Sequence, residues 1–170
     1  MLKGNRITLK SLSVDDVAPR YVEWLNDSAV NQYLESRWVS HDVGSVRAFV
    51  KRSIEDANSL FLGIYENQVP RHIGNIKMEI DRHHALGRIG ILGERDAWGK
   101  GYATEAIELL SEYAFTVCEC HKLVASAYDV NLGSVGAFRK AGFVIEGRCE
   151  SQYRCGDKWV GAVLMGKLRG

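Results

Sequence analysis

Proline is nearly absent from this chain, with two in 170 residues, Pro19 and Pro70. That favours regular elements over rigid linkers. Cysteine is sparse as well: Cys118, Cys120, Cys149 and Cys155 are too few for a disulfide-stapled scaffold in a chain of this length. The pair Cys118-Glu119-Cys120 lacks zinc-ligand spacing, so no metal is expected. Neither sign of charge dominates. There are 22 Lys and Arg against 21 Asp and Glu, a net charge of +1, and both halves are balanced. A mainly electrostatic grip on nucleic acid is therefore disfavoured. No apolar run is long enough to span a membrane, and Met-Leu-Lys-Gly-Asn-Arg does not read as a signal peptide. The expectation is a cytoplasmic protein with no nucleic-acid or membrane partner.

What is present is periodic. Arg6 to Leu12 alternates with period 2 and reads as a strand. Ser13, with Asp16 three residues on, reads as a helix start, followed by Val14, Val17, Tyr21 and Trp24 or Leu25 at helical spacing. A second helix is expected from Asp42 to Glu55, with Val43, Val46, Val50 and Ile54 inward. Ser59 to Glu66, Ile73 to Ile80 and Arg88 to Leu92 read as strands, separated by turns holding Asn67, Pro70, Asp81 and Gly87. Gly101 to Val117 carries Ala103, Ile107, Leu110, Ala114 and Val117 at steps of four and three, an apolar helical stripe. His121 to Tyr128 reads as a strand, Leu132 to Ala141 as a short helix, and Phe143 to Tyr153 and Lys158 to Leu168 as closing strands. This order predicts one α/β domain over residues 1–170, a mixed, mostly antiparallel seven-stranded sheet flanked by helices.

The stretch richest in chemistry is Trp98-Gly99-Lys100-Gly101-Tyr102-Ala103-Thr104-Glu105-Ala106, which follows a strand and opens the strongest helix. Glycines there expose backbone N–H groups, and the helix N-terminus adds its positive dipole end, so the turn suits a phosphate or pyrophosphate. It is neither a P-loop nor the dinucleotide fingerprint, since the required glycine, lysine and hydroxyl spacings are missing. A tight glycine turn without a ligand is the alternative.

With Asn131-x-x-Ser134 and Lys140-Ala141-Gly142-Phe143 further on, the chain resembles the GNAT family of N-acetyltransferases. The family's phosphate loop reads Gln/Arg-x-x-Gly-x-Gly/Ala. Gly101 and Ala103 match it, and Trp98 stands where the family has Gln or Arg. Gly-Lys-Gly-Tyr-Ala-Thr-Glu-Ala, Tyr113-Ala114-Phe115 and Glu146-Gly147 are similar to the subgroup named for the ribosomal-protein alanine acetyltransferases. The resemblance implies the GNAT-like acyl-CoA N-acyltransferase fold, with acetyl-CoA as co-substrate. Its pantetheine would lie along Ile89 to Gly93, on the backbone of Ile91 and Gly93, and its pyrophosphate on Gly99, Lys100, Gly101, Tyr102, Ala103 and Thr104. Lys100 either adds a side-chain charge there or is a solvated loop lysine. Asn131 would order its loop and bind the pantetheine.

Many relatives place a Tyr acid where this chain has Phe138. In the resembled subgroup the Asn-x-x-Ser hydroxyl serves instead, and Ser134 matches it; a helix hydroxyl bonded to backbone or cofactor is the alternative. Relatives often carry Glu where this chain has Arg88, which leaves Glu79, His84 and Glu94 as base candidates. Trp24-Leu25-Asn26, Tyr33 and Arg37-Trp38 resemble the acceptor-lining region, although Trp24 also suits a core and Trp38 also suits a buried loop anchor. Arg beside Trp fits a nucleotide-linked aminosugar. A protein N-terminus, a polyamine or a non-catalytic acyl-CoA-binding module are the alternatives, and a homodimer is left open.

Overall fold

The computed structural model describes all of residues 1–170. Its elements run β1 (Leu2–Lys3), β2 (Ile7–Ser11), α1 (Pro19–Asn26), α2 (Ser28–Asn31), α3 (Val43–Glu55), β3 (Ser59–Glu66), β4 (His72–Asp81), β5 (Leu86–Gly93), α4 (Tyr102–Thr116), β6 (Lys122–Tyr128), α5 (Leu132–Lys140), β7 (Val144–Cys155) and β8 (Lys158–Leu168). The sheet has eight strands in the order β1-β2-β3-β4-β5-β6-β8-β7, one more than the period-2 runs predict. The addition is β1, whose Leu2 and Lys3 pair with Leu9 and Thr8. Two residues are too few to show a period. Every ladder is antiparallel except β5 with β6.

Helices cover both faces. On β3, Phe61 and Leu62 are neighbours and point opposite ways, as strand geometry requires. Leu62 joins the larger core, where Ile107, Leu110 and Ala114 of α4 and Phe138 of α5 meet Leu9, Ile76, Leu123 and Met165. Phe61 joins the second core with Tyr21, Trp24, Val46 and Val50 of α1 and α3. Two apolar stripes drift off the core near their ends: Ile54 is 42% exposed and Val117, just past α4, is 59% exposed.

The helix expected from Ser13 is broken in two. Asp16 Oδ2 accepts the Ser13 N–H at 2.7 Å, which caps a 3-10 turn over Val14–Asp16, and α1 begins only at Pro19. Proline at the first helical position forces Ala18 before it into extended backbone (ψ 160). The loop expected around Arg37 and Trp38 also contains order: α2, then a 3-10 turn over Glu35–Trp38. No helix is long and apolar enough to cross a membrane.

Candidate active site

The sheet opens at its centre. Strands β5 and β6 pair only through Leu86↔Lys122, Gly87↔Leu123 and Arg88↔Val124. Beyond that point β5 follows β4 as far as Gly74↔Gly93, while β6 follows β8 as far as Tyr128↔Ala162. Ile89–Gly93 and Ala125–Tyr128 therefore face each other across a gap, each with one edge lacking a strand partner. A cleft of about 840 Å³ fills this gap, lined by both edges, residues 97–104, α5 and the segment from Ala29 to Glu35. Gly90 leaves open space where a side chain would stand, so a ligand can reach the strand backbone.

One end of the cleft is the glycine turn. Gly99 and Gly101 have φ of +72 and +79, a left-handed backbone that favours glycine. Arg6 braces the back of the turn. Its Nη1 donates to the Lys100 carbonyl at 2.6 Å, its Nε to Glu105 Oε2 at 3.0 Å and its backbone N–H to Glu105 Oε1 at 2.9 Å. Burial raises the Glu105 carboxyl, but these bonds from Arg6 outweigh it and hold the group below its ordinary range. Trp98 has a role of its own, its indole N–H donating to the Gly93 carbonyl at 2.9 Å. The carbonyls of Gly93 and Lys100 are thus engaged by the protein, and α4 starts at Tyr102 with its N-terminus on the cleft. This end suits the phosphates that the motif implies.

The wall is α5. Asn131 caps it, with Oδ1 accepting the Ser134 N–H at 3.2 Å, and both residues line the cleft. Phe138 lines the same wall, 2% exposed and edge-on to Phe143.

The other end is a polar and aromatic box of which the sequence points only to Tyr33, missing Glu35, Tyr128 and Tyr153. The Tyr128 ring stacks on Tyr153 with centroids 4.2 Å apart and meets Tyr33 edge-on at 5.6 Å. Its hydroxyl donates to Glu35 Oε1 at 2.6 Å and accepts from Arg37 Nη1 at 2.7 Å. Burial first, then the bond to Glu35, pushes the phenol above its ordinary pKa. Glu35 is the single carboxylate on the cleft wall.

The expected residues divide accordingly. Ile91, Gly93, Gly99, Gly101, Tyr102, Ala103, Thr104, Asn131 and Ser134 come together on the cleft. Lys100 is exposed in the same turn. Glu79 does not line the cleft: it is exposed, pairs with Lys77 at 2.9 Å and stands opposite Arg88, where β5 and β6 are still joined. His84 lies in the turn before β5, about 20 Å along that strand from Gly93. Trp24 is a core residue, 6% exposed against Tyr21 and His72, because the apolar face of α1 turns it inward. Asn26 is a brace: its amide donates to the His41 carbonyl and accepts the His41 N–H, at 2.8 and 2.9 Å. Arg37 is spent internally on the Leu34 carbonyl, Tyr128 Oη and the Arg154 carbonyl, and its guanidinium lies over the Trp38 ring at 4.2 Å. Neither Arg37 nor Trp38 lines the cleft.

A mixed sheet split at its one parallel junction, with a left-handed glycine turn at the mouth of the split, is the scaffold of an acyltransferase. Residues 6–144 match the family model described as an acetyltransferase (GNAT) domain, and the chain belongs to that family. Its homologues are N-acetyltransferases, and it is an enzyme of that type. The chain is 29% identical over 168 residues to the probable N-acetyltransferase YjcK of Bacillus subtilis, covering 94% of this chain and 92% of that protein. It is 30% identical over 88 residues to spermidine N(1)-acetyltransferase of Escherichia coli, covering 52% of this chain and 47% of that one. In fold it is similar to the crystal structure of spermidine N-acetyltransferase from Vibrio cholerae in complex with CoA and spermine, with a TM-score of 0.85, 21% identity and coverage of 96% and 95%.

Proposed function

We propose that residues 1–170 form one acetyltransferase domain that moves the acetyl group of acetyl-CoA to the primary amine of a compact small molecule, with an aminosugar as the favoured class. The observation that carries this is the split between β5 and β6, which joins a phosphate-binding turn at one end to a carboxylate-and-tyrosine box at the other. An acetyl donor held on the β5 edge meets an amine entering from the Glu35 end. Such positioning is worth roughly 7–11 kcal/mol in favourable cases, so little further help is needed.

Glu35 draws the ammonium in and takes its proton. The amine lone pair then forms the C–N bond at the thioester carbon, and a backbone N–H on the unpaired β5 edge holds the developing oxyanion. Collapse breaks the C–S bond, the Ser134 hydroxyl gives the departing sulfur its proton, and the attacking nitrogen gives up its surplus proton to Ser134, which leaves a neutral amide and restores the hydroxyl. That hydroxyl forms no hydrogen bond within the protein and is free to do so.

The acceptor class follows from the box. Tyr33 and Tyr153 are half-buried and offer ring surface for a sugar, while one carboxylate matches one ammonium. Because Arg37 is engaged internally, nothing supports recognition of a nucleotide phosphate by it, so we favour the free aminosugar over a nucleotide-linked one. A polyamine is the second reading, favoured by the spermidine acetyltransferase relative. A single carboxylate on the cleft serves several cations poorly. The free thiols Cys118, Cys120, Cys149 and Cys155 fit a cytoplasmic setting.

The test is thiol release from acetyl-CoA with glucosamine, spermidine and an alanine-initiated peptide. The expected result is the highest kcat/KM with glucosamine. Preference for spermidine or for the peptide would overturn the acceptor assignment, and release with no amine would overturn the transfer chemistry.

A further inference from the structure

The turn carries two left-handed glycines and an exposed lysine, and within it only Arg6 and Trp98 hold backbone carbonyls. Its two ends, however, are tied to a common point. At the start, Glu94 directly follows β5 and its side chain is 3% exposed. Glu94 Oε2 accepts from Arg20 Nε at 2.9 Å and lies 2.6 Å from its Nη2, while the buried Oε1 forms an ion pair with Arg71 Nη2 at 3.1 Å without hydrogen-bond alignment. At the finish, Tyr102 opens α4, and its hydroxyl donates to Glu66 Oε1 at 2.8 Å. The other oxygen of Glu66 accepts from Arg71 Nε at 3.0 Å. One guanidinium, at the β3–β4 turn, thus reaches both Glu94 and Glu66. Two carboxylates and two guanidiniums balance in charge. A further pair, Arg95 to Asp27 at 2.9 Å, ties the connector to the start of α2.

We infer that Arg71 is a positioning residue for acetyl-CoA binding, holding both ends of the 95–101 connector through Glu94 and Glu66 so that the N-terminus of α4 is preset for the phosphates. The planar guanidinium fork suits this task, because Nη2 and Nε serve different carboxylates at once; a lysine ammonium is a single point on a flexible stem. A preset turn spares the ligand the cost of ordering it. Glutamine in place of Arg71 frees the Tyr102 end from the Glu94 end and leaves an uncompensated carboxylate charge beside the connector.

The inference rests on the reading of this turn as the CoA phosphate site. The experiment is calorimetric titration of CoA into wild type, Arg71→Gln and Arg71→Lys, with thermal melts and steady-state kinetics. Arg71→Gln is expected to weaken CoA binding about tenfold. Its kcat at saturating acetyl-CoA should stay within about twofold of wild type, since the lost interaction serves binding rather than the transition state. Arg71→Lys should recover only part of the affinity. A folded Arg71→Gln that binds CoA as wild type does, with only its melting temperature lowered, would show a purely structural role and overturn the inference. If Arg71→Gln does not fold, Glu66→Leu, which cuts only the Tyr102 end, takes its place: several-fold weaker CoA binding supports the inference, and unchanged binding overturns it. Wild type that binds no CoA defeats the underlying reading instead, which keeps the two failures apart.

Discussion

Gly99 and Gly101 share one backbone conformation but should fail in different ways when replaced by alanine. At φ near +75, each alanine incurs the left-handed penalty of an L-residue, about 1–2 kcal/mol. At Gly101 an added Cβ also stands 3.0 Å from Arg6 Nη2 and 3.3 Å from Nη1, so the guanidinium must shift from the Lys100 carbonyl. The Arg6 side chain is 53% exposed, and its ion pair with Glu105 is therefore discounted to at most about 1 kcal/mol. The sum for Gly101→Ala is about 1–3 kcal/mol. For a domain of this size that lowers Tm by roughly 2–12 °C. At Gly99 no atom lies within 4 Å of the added Cβ, so only the conformational penalty applies, roughly 2–8 °C. That open space lies on the cleft where the proposed CoA site falls, so Gly99→Ala should lose CoA affinity out of proportion to its stability. The assays are thermal melts and CoA titration on both variants. The reasoning is refuted if Gly101→Ala melts with wild type, or if Gly99→Ala binds CoA as tightly as wild type.

Removing the carboxylate in Glu35→Gln should lower kcat, because Glu35 takes the ammonium's proton, and raise acceptor KM by about tenfold, with KM for acetyl-CoA nearly unchanged; equal effects on both KM values would place Glu35 outside the acceptor site. Tyr128→Phe cuts the bonds to Glu35 and Arg37 and should move acceptor KM in the same direction, read by the same kinetics. Ser134→Ala should lower kcat about a hundredfold without weakening CoA binding, and an unchanged kcat would show that the thiolate leaves without a side-chain acid. Stability should also fall in mild acid. Burial holds His72, packed against Tyr21, Trp24 and Tyr65, below its ordinary 6.5. The unfolded chain therefore binds the extra proton first, and stability drops as pH falls from 6.5 towards the folded value. Urea unfolding at successive pH values should show this slope in wild type and a flatter one in His72→Gln, and identical slopes would exclude His72 as the cause.

What was legible in the sequence is what depends on neighbours within a turn or two. Ile107, Leu110 and Ala114 recur at helical spacing and are buried in α4, because one face of a helix must meet the core. Gly99 and Gly101 mark a left-handed turn because few other residues enter that conformation readily, so the turn at that end of the cleft could be named in advance. Asn131 and Ser134 are picked out by the family resemblance, and the structure adds that Asn131 caps α5 through the Ser134 N–H.

Tertiary structure decided the rest. Tyr128 meets Glu35 across 93 positions of chain, and Tyr153 comes from a strand two places away in the sheet. No periodicity reports such pairs, since they depend on where the strands part and which turns fold back over the gap. The same holds for Arg71, whose partners Glu66 and Glu94 look like surface charges until the β3–β4 turn and the end of β5 are placed side by side. Trp24 and Arg37 show the converse. Their residue types suit an acceptor wall, yet one packs into the core behind α1 and the other spends its donors inside the protein. Composition and spacing determine which chemistry a chain can offer. Which of those groups face the cleft is settled by the split between β5 and β6, a property of the sheet as a whole.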